Sequence, residues 1–240
     1  MKYLITLCFL LIIQTSFAGP PFSTDDPEPV KYRHWEYYVA SINLFQSGFV
    51  SGTLPHIEVN YGIIPNGQLH VLLPLNYNMQ KGNALQYGYA NSEIGFKYRI
   101  FDNSQSTFQI GTFPILEIPT INNQNFGNNK VQIYLPVWIQ KSWGKLTTYG
   151  GGGYWINPGN NNKNWMFTGW EMQYDFSERI TIGGELYFKT ADTNDGKPFL
   201  GINLGGMINC SKTFHVIYSI GHSITHDNTF MSYLGLLWTI

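Results

Sequence analysis

Cysteine is nearly absent from this chain. It has two, Cys8 and Cys210, and Cys8 falls inside an N-terminal leader. One remaining thiol excludes a disulfide framework, so stability has to come from packing and strand pairing. Charge is scarce as well: Asp, Glu, Lys and Arg make up 12% of the residues, 14 basic against 15 acidic. That leaves no basic surface for nucleic acid as a partner. After the leader no apolar run is long enough for a transmembrane helix. No phosphate-cradling glycine loop precedes a helix, so no nucleotide cofactor is indicated, and no other cofactor is expected.

The leader is MKYLITLCFLLIIQTSFA. Lys2, the apolar run Tyr3–Ile13 and the small-x-small site Ser16-Phe17-Ala18 predict a secretory signal over residues 1–18. Cys8 lies upstream of that site rather than at it, so a lipoprotein anchor is not expected.

What the chain does have is aromatic residues, at 16%, and 25 glycines. A secreted chain this aromatic and this poor in charge needs an apolar environment other than a helix bundle. His56–Tyr77 supplies the pattern. Ile57, Val59, Tyr61 and Ile63 alternate with His56, Glu58, Asn60 and Gly62, and Leu69, Val71, Leu73, Leu75 and Tyr77 repeat the beat. Period two with unlike faces is a strand signature. Pro65-Asn66-Gly67 predicts a three-residue hairpin loop with Gly67 in the left-handed position, setting Ile63 opposite Leu69 and Tyr61 opposite Val71.

The same pattern predicts strands over His34–Gln46, Tyr89–Ile100, Thr107–Ile118, Val131–Lys141, Leu146–Ile156, Trp165–Asp175, Ile180–Thr190, Phe199–Ile208, Phe214–His222 and Phe230–Ile240. In Thr107–Ile118, Phe113 and Ile115 fall on the face opposite Phe108, Ile110 and Leu116. Glycines 150–153 allow tight curvature or close packing against something in the interior. Short turns such as Asp102–Ser106, Ser142–Lys145 and Asn209–Thr213 alternate with longer polar loops at Asn78–Gly88, Pro119–Lys130, Asn157–Asn164, Ala191–Pro198 and Ser223–Thr229. Short turns on one side and long loops on the other mark periplasmic turns and external loops. The fold class expected is all-β, a transmembrane antiparallel up-and-down barrel of about twelve strands over residues 34–240, with both termini periplasmic and outer-membrane lipid as its surroundings. The competing fold is a soluble sandwich or small barrel, in which the apolar face would be the core. Twelve soluble strands would carry far more Lys and Glu than this chain does.

Before the first strand lies an arm, residues 19–33, GPPFSTDDPEPVKYR, whose prolines and acids cannot pair into a sheet. At PFSTDDPEPV (Pro21–Val30) followed by Trp35-Glu36 the chain resembles a family of Gram-negative outer-membrane proteins described as transporters of the meta-pathway of phenol degradation. GFKYRIF (Gly95–Phe101), ITIGGELY (Ile180–Tyr187) and YLGLLWTI (Tyr233–Ile240) are similar to that family's recurring strand segments. The resemblance implies a barrel of the twelve-strand class and of transporter type. Barrels of this kind usually end on an aromatic residue; here the last residue is Ile240, with Trp238 two before it.

With the apolar faces on lipid, the lumen-lining candidates are Glu58, Asn60, His70, Glu93, Lys97, Arg99, Glu117, Glu171, Glu185 and Lys189. They could form a neutralised ion-pair network in the wall or a selectivity site for a solute. The arm acids Asp25, Asp26 and Glu28 could fold against Lys97, Arg99 and Lys189 as a plug, or lie in the periplasm. No enzyme and no metal site is expected. Adjacent His222 and Ser223 point to opposite strand faces, which is wrong for nucleophile activation. On a strand, His222 and His226 stand about 13 Å apart, too far to share a metal. Asn209-Cys210-Ser211 matches a glycosylation pattern but falls in an expected periplasmic turn. The function expected is passage of small solutes, aromatic or hydrophobic on the strength of the resemblance. The alternative is a closed structural or adhesive barrel presenting its external loops to a partner. Solute and oligomeric state stay open.

Overall fold

The structure, a computed structural model, describes residues 20–119, 126, 130–225 and 228–240. The expected signal segment lies outside them, as do most of loop 119–130, His226 and Asp227.

Fourteen strand segments follow one another: β1 (Trp35–Gln46), β2 (Phe49–Ile64), β3 (Gly67–Gln80), β4 (Gln86–Tyr89), β5 (Ser92–Asn103), β6 (Phe108–Thr112), β7 (Ile115–Ile118), β8 (Gln132–Trp143), β9 (Leu146–Ile156), β10 (Trp165–Ser177), β11 (Ile180–Lys189), β12 (Phe199–Asn209), β13 (Phe214–Ser223) and β14 (Phe230–Thr239). β4 and β5 both pair with β3, while β6 and β7 both lie between β5 and β8. Each of these couples is one interrupted barrel strand, so the segments make a closed antiparallel barrel of twelve strands. Closure joins β1 to β14 from Glu36↔Thr239 to Phe45↔Phe230. Beyond that ladder the Trp35 N–H donates to the Ile240 carbonyl at 2.7 Å and the Ile240 N–H donates back at 2.9 Å. The first and last strands therefore meet at the same end of the barrel.

Exposure is inverted relative to a water-soluble fold. Leu135, Val137, Leu204 and Leu234, at mid-strand, are 50 to 67% exposed, whereas Asn60, Gln140, Glu171 and Glu185 are at most 4% exposed. Apolar outside and polar inside rules out the sandwich and gives the architecture that a bilayer requires. Outward aromatics gather toward the strand ends, with Trp35 stacked on Tyr61 at 4.2 Å and Phe214 against Trp238 at 5.2 Å. This is the girdle that an amphipathic ring forms at a membrane interface.

The opening hairpin has the expected faces in a different register. Tyr61 stands opposite Leu69 and Val59 opposite Val71, two residues away from the expectation. The turn is tighter: Ile64 pairs with Gly67, and Asn66, not Gly67, takes the left-handed conformation at φ 63°. The slack is absorbed by a bulge between Tyr61 and Ile64. Its cause is the arm. The Arg33 N–H donates to the Gly62 carbonyl at 2.7 Å and the Gly62 N–H donates to the His34 carbonyl at 3.0 Å. A Cβ on Gly62 would stand 2.0 Å from the Lys31 carbonyl oxygen, so this approach requires glycine.

Strands also run further than the sequence pattern suggested. β2 begins at Phe49, β3 reaches Gln80, and β4 occupies part of the stretch expected as a long loop. The ladder continues into the external region, where alternation of polarity carries no signal because both faces are wet. The expected strand over Thr107–Ile118 breaks at Phe113-Pro114, because proline cannot donate to the ladder.

Candidate functional site

The interior contains the arm. Residues 20–32 lie against inward side chains around the wall. Thr24 and Asp26 are fully buried, and Val30 is nearly so. On β11 the Glu185 carboxylate accepts the Ser23 and Thr24 backbone N–H groups, each at 2.7 Å, with Asn203 of β12 donating to the same carboxylate. A carboxylate holding two successive backbone amides fixes the arm's direction as well as its place. Ser219 on β13 donates to the Pro21 carbonyl at 2.7 Å, and Gln68 on β3 accepts the Val30 N–H at 2.8 Å.

Cations on β5 hold the acids. The Lys97 ammonium lies 2.8 Å from Asp25 and 3.5 Å from Asp26. Arg99 stands 3.9 Å from Glu28, while bonding Asn66 at 2.7 Å and Asp102 at 3.2 Å. Burial pushes the Asp26 carboxyl up to about 8 against the pull of Lys97, and the Glu28 carboxyl also rises through burial, opposed by Arg99. Glycines give the arm its room. A Cβ at Gly169 would fall 2.0 Å from Thr24 Oγ1, and one at Gly111 would fall 2.8 Å from Pro27 Cβ. Gly169→Val is accordingly expected to displace the arm while leaving the barrel folded. Faster protease cleavage within residues 20–30, with unchanged heat-modifiable gel mobility, is the measurement.

The remaining candidates divide into groups. Glu58, Asn60 and His70 form one cluster on β2 and β3: Asn60 Nδ2 donates to Glu58 at 2.8 Å, and His70 Nδ1 lies 2.8 Å from Asn60 Oδ1. Because the Asn60 amide donates to a carboxylate, its oxygen faces His70, which places a proton on Nδ1. Glu93 stands 3.9 Å from His70 Nε2. Opposite Glu93 is Glu117, which accepts from Asn91 at 2.7 Å and Gln132 at 2.8 Å. Glu171 is fully buried directly opposite Glu185. Two like acids at paired positions on one face cost stability.

Lys189 departs from its expected role as a partner of the arm. It pairs with Asp192 at 2.7 Å and sits over the Trp165 ring at 5.0 Å. The rim pair expected to lie on opposite faces does so: His222 is exposed and Ser223 is buried. Cys210 is free and exposed in its turn.

Inward aromatics from neighbouring strands join into an arc. Tyr134, Trp155 and Trp165 stack at 4.7 and 5.2 Å, and Phe167, Tyr187 and Phe199 continue the line at 5.9 and 5.7 Å. Strand parity puts Tyr134, Phe167 and Tyr187 on the inner face, whereas their stacking depends on the register between strands. Gly153 belongs to the same packing, since a Cβ there would meet the Tyr134 ring at 2.5 Å.

Beside the arm, two chambers of about 450 and 480 Å³ remain. The first opens at the end where the chain ends meet and includes Trp35, Glu36, Lys212 and Ile240. The second includes Ile42, Leu72, His56, His70, Glu93, Ile115 and Tyr233. Pro20, Asp25, Glu58 and Phe113 line both.

No family model and no curated protein matches this chain. Solved structures do. An outer membrane channel from Pseudomonas putida F1 superposes with a TM-score of 0.77 at 12% identity, covering 90% of this chain and 98% of that one. The KdgM porin gives 0.57 at 13% identity, with 84% and 98% covered. The NanC porin gives 0.56 at 10% identity over the same shares. The likeness is one of fold: this chain is built as Gram-negative outer-membrane barrels of the channel and porin type are built.

Proposed function

We propose that the chain is a Gram-negative outer-membrane channel for small solutes in which residues 19–33 act as a plug that narrows the lumen without filling it. The observation that carries this reading is the pair of chambers left beside a hydrogen-bonded arm whose Thr24 and Asp26 are fully buried. Inward carboxylates, amides and imidazoles offer a solute polar contacts, and Leu72, Phe113, Ile115 and the aromatic arc offer apolar ones. That mixture suits a molecule with an apolar body. The motif Pro21–Val30 and its resemblance to the phenol-pathway transporters narrow the proposal to aromatic or hydrophobic molecules. On this reading Glu58, His70, Glu93, Lys97, Arg99, Glu117, Glu171 and Glu185 work as wall and latch and not as catalysts.

The test is single-channel conductance of the refolded mature protein in a planar bilayer, beside a form lacking residues 19–33. A small steady conductance in the full chain and a several-fold larger one after truncation are expected. Silence from both, with folding established by heat-modifiable mobility, would sink the channel reading.

A second reading has an observation of its own. The external loops following β9 and β11 are zipped together, with Lys163 N–H on the Asp192 carbonyl at 2.8 Å and Asn194 N–H on the Asn161 carbonyl at 2.9 Å. A fixed loop surface suits a barrel that presents itself to a partner, and silence from both forms would favour it.

A further inference from the structure

Phe113 occupies a place unlike that of any other aromatic described here. Among the described residues it is the one large apolar side chain that lines both chambers, and it sits in the gap between β6 and β7, where Pro114 interrupts the strand. Its ring meets His70 edge-on at 5.2 Å, and the Lys97 ammonium stands 5.2 Å from its centroid. Beneath it is Gly95 on β5, where an added Cβ would be 2.6 Å from the ring atom Cε2. Pro20, Asp25 and Glu58 are the other residues that line both chambers.

We propose that the Phe113 ring is the gate of the pathway: it closes the waist between the two chambers and sets the size and charge of what crosses. This rests on the channel reading above. An aromatic ring held edge-on by one side chain and capped by a cation has defined resting contacts. At rest the ring also packs against the buried Tyr134 and Trp138, while the ladder gap leaves its backbone outside the strand pairing. Asp25 is paired with Lys97 at the waist, so Glu58 is the carboxylate left to act on a passing ion, and it favours narrow neutral or cationic groups over anions. The gate is also linked to the arm, because the cation over the ring is the one that holds Asp25 and Asp26. Movement of the arm takes the acids away from that ammonium and leaves Lys97 held by the ring alone.

Two substitutions of opposite sign test this. Phe113→Ala widens the waist with the arm in place, and a several-fold rise in conductance is expected. Gly95→Val has to push the ring into the waist, and a several-fold fall is expected. Phe113→Leu serves if the alanine form does not fold, with a smaller rise. In a potassium chloride gradient the reversal potential should be that of a cation-preferring pore and should shift toward zero in Glu58→Gln. If the wild type conducts and neither Phe113→Ala nor Gly95→Val changes the current, the gate is overturned while the channel stands. If truncation of the arm opens the barrel but Phe113→Ala does not, the arm alone is the barrier and the gate is again overturned. Silence from every form overturns the channel and the gate together.

Discussion

Lys97→Met should release the arm from the lumen. The ammonium of Lys97 is the cation nearest Asp25 and Asp26, and Asp26 is fully buried. Its removal leaves acids facing an apolar stem, and breaking such a buried pair typically costs about 3–5 kcal/mol. The barrel wall has its own ladder and does not depend on the pair. The arm can leave for water, so the cost appears as lost docking and not as unfolding. A thiol introduced by Thr24→Cys in a Cys210→Ser background reports the change, because Thr24 is fully buried when docked. Its labelling should be slow with Lys97 present and about 150- to 5,000-fold faster with methionine there. Asp25→Asn with Asp26→Asn should restore much of the protection. Unchanged labelling would mean that Glu185, Ser219 and Gln68 suffice to hold the arm.

The same assay has a pH dependence of fixed sign. The docked Asp26 carboxyl is raised to about 8 from its ordinary 3.8, so between those values the docked state holds a proton that the released state does not. The contribution of Asp26 to docking is then at full strength below about pH 4, weakens as pH rises and levels off above about 8. Labelling, scaled at each pH to that of the unfolded chain, should follow that course.

The second large effect lies on the other side of the wall. Leu204→Arg, at the middle of β12, should destabilise the barrel by about 2–4 kcal/mol in lipid. Leu204 is 67% exposed, with its cross-strand neighbours Gly184 and Ile220 on the same outward face. Met231→Lys, on the inward face of β14 beside the second chamber, should change stability little because a charge there meets water. The ratio of the two in a denaturant titration reads the face assignment directly. Equal costs would mean that the register had slipped.

The outward and inward assignments were legible because a bilayer imposes them residue by residue. Val59, Val71, Ile133, Leu186 and their like alternate strictly wherever lipid is on one side. The information stops where that constraint stops. β2, β3 and β4 run on outside the membrane, where Gly52, Asn78 and Gln86 show no alternation and the sequence pattern is that of a loop. The hairpin register depends on the Gly62 bulge, and Gly62 is needed there only because Lys31 passes against it. Nothing local to Pro65–Gly67 reports a contact with a residue thirty positions away. The candidate site follows the same division. Inward acids and bases could be read singly, but their partners could not. Lys97 meets Asp25 across the lumen, whereas Lys189, of the same type and on the same face, meets its near neighbour Asp192. Phe113 looked like one more inward residue on its strand; Pro114 beside it was the signal that the ladder breaks there.

The seam between β1 and β14 has a consequence for the order of events during assembly. It joins residues about two hundred positions apart, so the entropy of closing that loop falls on the last pairing to form. The hairpins can form locally and early, but the cylinder exists only when Ile240 and Trp35 exchange their bonds. The arm is continuous with β1 through Arg33 and His34, which means that one half of the seam carries the plug. Docking and closure are therefore geometrically connected. A chain extended beyond Ile240 places its burden on the slowest junction of the molecule, whereas one shortened at the arm leaves that junction intact.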